Sequence, residues 1–122
     1  MKAVFIREFG GVENLEIREV ADAPQPANSE VLIQVRAAGL NRADLLQRRG
    51  LYMPPPGFSP NIPGLEFAGE IVECGPDVED LAKGDRVFGI TAGEAQAEYL
   101  TIDASLLAAI PDTLTFPEAA AV

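Results

Sequence analysis

The chain has 122 residues, 48% of them apolar and 23% charged, a length and balance that describe one globular domain able to bury a core and exclude a disordered chain. Its formal net charge of −10 speaks against nucleic acid and against anionic membrane surfaces, both of which call for clustered Lys and Arg; the acids are scattered, so solubility accounts for them. The absence of histidine and the single cysteine, Cys74, exclude His-based acid–base catalysis, His-ligated or four-cysteine metal sites and an internal disulfide, and a lone thiol fits a reducing, cytoplasmic compartment.

In chain order, "KAVFIRE" and "NLEIREV" are short β-branched runs joined through Gly10-Gly11, which reads as a turn. The N-terminal apolar run is too short before Arg7 and Glu8 for a signal peptide, and no stretch approaches a membrane span. After the polar connection "ADAPQPANSE", the segment "EVLIQVRAAGL" alternates, with Val31, Ile33 and Val35 on one face and Gln34 and Arg36 on the other, as a half-buried strand requires. A short helix follows. Asn41 suits its N-cap, Asp44 stands where a capping box needs an acid, and Leu45 and Leu46 supply the expected buried face. Arg48 and Arg49 suit the C-terminal dipole, and Gly50 is placed to end the helix at C′.

"YMPPPGFSPNIPG" holds five prolines and is neither helix nor central strand; Tyr52, Met53, Phe58 and Ile62 make it a packed loop rather than a linker. "LEFAGEIVECG" resumes β structure, with Ala68 and Gly69 marking a bulge or close approach. "RVFGI", after the Gly84-Asp85 turn, and then "AEYLTID" and "LLAAIPD" are further strands. In "TFPEAAAV" a helix starts, with Thr115 as N-cap and Pro117 and Glu118 in its first turn. About seven short strands against one or two short helices predict a mainly β barrel or sandwich. No G-x-G-x-x-G follows a strand; "GITAGEA" has the wrong spacing for a dinucleotide fingerprint.

Three motifs in register, "AAGLNRADLLQRRGLYMPPPG", "IPGLEFAGEIVECG" and "GDRVFGI…AEYL", resemble the N-terminal domain of the medium-chain dehydrogenase/reductases, and within them the zinc-independent, zeta-crystallin-like quinone oxidoreductases. The similarity runs from "MKAV" to "PEAAAV", so residues 1–122 are expected to form one GroES-like, partly open β-barrel. Where zinc-dependent members carry a cysteine and a histidine this chain has Asn41 and Leu65, neither of which can stand in for a thiolate or an imidazole on zinc. The cysteine-rich structural zinc lobe is missing too. No metal is expected. "AGEAQ" replaces the glycine-rich run that zinc-free relatives often place before "AEY".

The resemblance implies an NADPH-dependent enzyme that transfers hydride to a quinone or enone, with the Rossmann cofactor domain absent from this chain. A truncated chain of this kind is expected to be inactive alone and not to bind NADPH. The alternatives are a zinc-free enoyl reductase domain and a non-catalytic GroES-like binding or assembly module. Asn41 is a helix cap on its residues alone, and the resemblance places it near the nicotinamide end of a cleft. Tyr52 is either a packed loop ring or a phenol lining the quinone pocket; Arg42 is a solvated helix charge or steers cofactor phosphate. Asp44 is read as a cap only, and Glu66 as solvent-facing or paired with Arg42 or Arg48. Cys74, without a basic neighbour in sequence, reads as a structural thiol. Leu114, Phe116 and the final alanines are expected to lack a packing partner and to promote self-association.

Overall fold

A computed structural model describes residues 1–122. Seven strands and two short α-helices are present: β1 (Lys2–Ile6), β2 (Leu15–Glu19), β3 (Glu30–Ala38), α1 (Arg42–Arg48), β4 (Glu66–Cys74), β5 (Arg86–Ile90), β6 (Tyr99–Asp103), β7 (Leu107–Ala109) and α2 (Phe116–Ala120). Two 3-10 turns, Val12–Asn14 and Ala104–Leu106, precede β2 and β7. β1 and β2 form an antiparallel hairpin, and the other five strands make an antiparallel sheet in the order β6-β3-β4-β5-β7. The sheets do not close on one another. A single bridge, Ala3 to Ala97, with Val4 N donating to Gln96 O (2.9 Å) and Glu98 N to Lys2 O (3.0 Å), joins β1 to the segment leading into β6. This is the β architecture expected from the strand count, in the partly open form that the resemblance implies.

Alternation decides which residues fill the core. On one face of the sheet Val31, Ile33, Phe67, Ile71, Val87, Leu100 and Ile102 cluster with Ala95. Each large apolar side chain buried there contributes about 1.5–3 kcal/mol over exposure. On the other face Ala68 and Ile110 pack against Ala119 and Ala120 of α2. The register of β3 on β4 shifts between Val35 and Ala37, opposite Gly69 and Ala68, leaving Arg36 as the extra residue of a bulge. Gly69 is obligatory for space: a methyl group there would collide with the carbonyl oxygen of Gln34. The small pair in "FAGE" therefore marks both a bulge and a close approach.

Helix α2 corrects one expectation. Ala119 and Ala120 are buried on the sheet, Leu114 and Phe116 are packed against the same cluster, and the Arg86 guanidinium lies 4.7 Å over the Phe116 ring. Thr115 caps the helix, its hydroxyl accepting from Glu118 N (3.3 Å) while the Glu118 carboxylate accepts from Thr115 N (3.0 Å). The alanine-rich end thus finds its partner within the chain, because small side chains let a five-residue helix lie close to the strands.

Candidate functional site

Asn41 is the N-cap of α1, with extended backbone (φ −127°). Asp44 Oδ2 accepts from Asn41 N at 2.9 Å, the Asp44 N–H donates to the Asn41 carbonyl oxygen (3.0 Å), and the Asn41 side chain faces the same N–H as the other half of a capping box. Gly50 (φ +78°) ends the helix as expected: its N–H donates to Gln47 O (2.9 Å) and that of Leu51 to Leu46 O (2.8 Å), a Schellman pair.

The buried face of α1 is not the leucine face. Asp44 and Gln47 are buried, Leu45 is 53% exposed and Leu46 half-buried. Nor is Asp44 only a cap: Oδ1 accepts from Gly64 N (3.1 Å) and Oδ2 also from Gln96 Nε2 (3.3 Å). Gln47 Nε2 donates to Pro60 O (3.0 Å). The helix packs on the backbone of the proline-rich loop, and the Gly64 N–H and the Pro60 carbonyl that meet it there explain why polar side chains face inward. From the opposite side Glu94 Oε1 accepts from Ser59 N (3.2 Å), Gln96 N donates to Pro63 O (3.0 Å) and Ala95 N to Gly64 O (3.2 Å).

Glu66 opens β4 directly opposite Ile90 of β5. Its carboxylate partner is Asn41, whose Nδ2 donates to Oε1 at 3.1 Å, and not Arg42 or Arg48. Arg48 Nε instead donates to Gly10 O (3.0 Å), tying α1 to the β1–β2 connection. Glu66 also lines a hollow of about 340 Å³ whose walls are mostly apolar: Phe88, Ile90, Leu106, Ala108, Ala119 and Val122. The structure therefore joins Asn41 to a carboxylate at the edge of an apolar hollow. Phe88, Ile90 and Leu106 were not singled out from the sequence, although period-2 alternation in "RVFGI" sends Phe88 and Ile90 to the face opposite Val87.

Tyr52 lies half-buried beyond the other end of α1, a helix length of roughly 10 Å from the N-cap at 1.5 Å per residue. Arg42 is exposed and takes part in no ion pair. Cys74 Sγ donates to Leu81 O (3.7 Å), and burial, with the Asp85 charge second, pushes its thiol above the ordinary value. No group of three or more Asp, Glu or Cys side chains converges as a metal site. For a nicotinamide dinucleotide the residues fit in part. The hollow offers apolar walls for a ring and the Glu66 carboxylate, bonded to Asn41, a polar edge, but α1, with seven residues, and α2, with five, provide no glycine-rich helix start to cradle a pyrophosphate.

Residues 27–112 match the alcohol dehydrogenase GroES-like domain. Quinone oxidoreductase-like protein 2 of Mus musculus is 41% identical over 107 residues, covering 87% of this chain and 30% of its own length. The human synaptic vesicle membrane protein VAT-1 homolog-like protein superposes with a TM-score of 0.88 at 36% identity, over 98% of this chain and 38% of that one. The quinone oxidoreductase of Escherichia coli, solved in complex with NADPH, superposes at 0.86 and 32% identity, over 98% of this chain and 36% of that one. The chain thus spans about a third of the length of these relatives.

Proposed function

Since the chain belongs to the alcohol dehydrogenase GroES-like domain family, we propose that it is the substrate-side domain of a cytoplasmic, NADPH-dependent quinone oxidoreductase that reduces a quinone or an enone. The observation that carries this reading is the Asn41–Glu66 pair at an apolar hollow in which Glu66 is the one polar side chain. Quinones and enones share that chemistry: a planar apolar body with a carbonyl oxygen that gains charge on reduction.

The nicotinamide, when bound, supplies hydride. Asn41 donates an N–H to the carbonyl oxygen as its charge grows, and Phe88, Ile90 and Leu106 exclude water, which strengthens that contact. Tyr52 offers a second donor, its hydroxyl, from the far end of α1, and Arg42, with no carboxylate partner, offers a positive charge for a cofactor phosphate. Neither α1 nor α2 offers a glycine-rich helix start for a pyrophosphate, so the 122-residue chain by itself is expected to be inactive.

The test is NADPH oxidation in the presence of a benzoquinone or a cyclic enone, by this chain fused to the nucleotide-binding part of the Escherichia coli relative. Activity is expected in the fusion, with Asn41→Ala and Tyr52→Phe each lowering kcat/KM by about ten- to a hundred-fold, below the loss of a full oxyanion-hole donor. The unfused chain should take up no NADPH at micromolar concentration in a calorimetric titration. A fusion that binds NADPH and reduces neither acceptor ends the reading.

A further inference from the structure

Asn41 is fixed to its surroundings through both of its nitrogens. The backbone N–H meets Asp44 Oδ2 at 2.9 Å and the side-chain Nδ2 meets Glu66 Oε1 at 3.1 Å. An ionised carboxylate only accepts. The opposite amide orientation would set Asn41 Oδ1 against Glu66 Oε1, two acceptors at hydrogen-bond distance, so Glu66 fixes the amide in the orientation that also faces its oxygen to the Asp44 N–H.

Glu66 is itself held in a niche. Gly39, two residues before Asn41, has no side chain, and the Glu66 carboxylate occupies the space where one would stand. A methyl group on Gly39 would lie 2.5 Å from Glu66 Cγ and 2.7 Å from the carbonyl oxygen of Ala120. Gly39 N also donates to Glu66 O at 3.0 Å, which fixes the backbone of the two residues against each other. One hydrogen of the Asn41 amide nitrogen is taken by Glu66, and the other has no acceptor within the chain.

We infer that Glu66 is a positioning residue: seated in the Gly39 niche at the rim of the hollow, it holds the Asn41 amide with its nitrogen toward the carboxylate, so that the second N–H serves ligands that present an acceptor oxygen. This inference rests on the proposed quinone or enone reduction for its use, but not for its geometry. Glu66→Gln keeps the volume and offers both a donor and an acceptor, so it no longer dictates the amide orientation.

The experiment is nitrogen-15 NMR of the 122-residue chain, with the Asn41 side-chain NH2 pair assigned through Asn41→Ala. Glu66→Gln should move that pair and speed its hydrogen exchange, whereas Glu70→Gln, on the same strand beside Arg36 at 3.7 Å, should leave it in place. Gly39→Ala, by displacing Glu66, should reproduce the Glu66→Gln spectrum at the Asn41 pair; if that variant does not fold, Glu66→Gln decides alone. Asn41 signals in Glu66→Gln that coincide with those of the unsubstituted chain overturn the inference. In the fusion, Glu66→Gln should lower kcat/KM for the quinone about tenfold, the scale of one hydrogen bond, with the Glu70→Gln fusion unchanged. Moved signals with unchanged kinetics refute the role toward such ligands. An inactive unsubstituted fusion strikes the reductase reading alone, since the NMR comparison still decides where Glu66 holds the amide.

Discussion

Helices α1 and α2 are both shorter than eight residues and both begin with a capping box, yet they meet the rest of the domain in opposite ways. α2 lays Ala119 and Ala120 on the sheet, an apolar contact without direction. α1 turns Asp44 and Gln47 inward and leaves Leu45 in solvent. Hydrogen bonds to Gly64, Gln96 and Pro60 have preferred angles, so α1 is fixed in rotation as well as in position, and with it the cap residue Asn41. The polar contact is also more costly to disturb. Gln47 Oε1 is already buried without a partner. Where a site must be held to a fraction of an ångström, directional contacts serve better than alanines.

The contrast breaks first at Asp44. Asp44→Ala strands the N–H groups of Asn41 and Gly64, and the loss should be about 3 kcal/mol in denaturant unfolding, since each buried unsatisfied donor costs about 1–3 kcal/mol. Leu45→Ala should cost under about 0.5 kcal/mol, as an exposed position does. The reverse order would make α1 an ordinary amphipathic helix. On the α2 side, Ala120→Leu forces a larger side chain into the contact with Ala68 and Gly39 and should destabilise by about 2 kcal/mol through overpacking. Thr115→Ala removes the hydroxyl half of the α2 box and should cost about 1 kcal/mol, measurable in the same titration.

The smallest effect concerns a cap outside both helices. Asp103 accepts from Ser105 N and from Ser29 Oγ, each at 2.9 Å, and these bonds, Ser105 first, hold its carboxyl below the ordinary carboxylate value. A depressed folded-state value stabilises the fold above the unfolded value and is lost as pH falls through the folded one. Asp103→Asn should therefore flatten the acid limb of the stability–pH curve slightly, by lowering stability at its neutral end while leaving the most acidic end unchanged. An unaltered limb would show that Ser29 and Ser105 contribute nothing there.

Strand number, the Gly50 stop, the Thr115 cap and the Ala68–Gly69 irregularity were legible because each depends on neighbours within a few residues. The buried face of α1 was not. Leu45 and Leu46 point to an apolar surface under the helix, but the surface is loop backbone from residues 60–64, and only tertiary placement shows that it wants acceptors and donors. The Asn41–Glu66 pair joins residues 25 apart, so no local spacing announces it. Gly39 was visible as a glycine after a strand, but its φ is not positive and the reason for it is a carboxylate from another strand.

The proline-rich segment has a further consequence for motion. Its end, from Ser59 to Gly64, is gripped by α1 on one side and by residues 94–96 on the other, while Asn61 Nδ2 reaches Ile6 O (2.7 Å) and Ile6 N returns to Asn61 O (2.8 Å). Lifting it would break contacts to three separate elements together, an event of the local-unfolding class rather than the fast fluctuation of a free loop. The Ser59–Gly64 stretch is therefore a fixed wall of the domain on the timescale of loop motion.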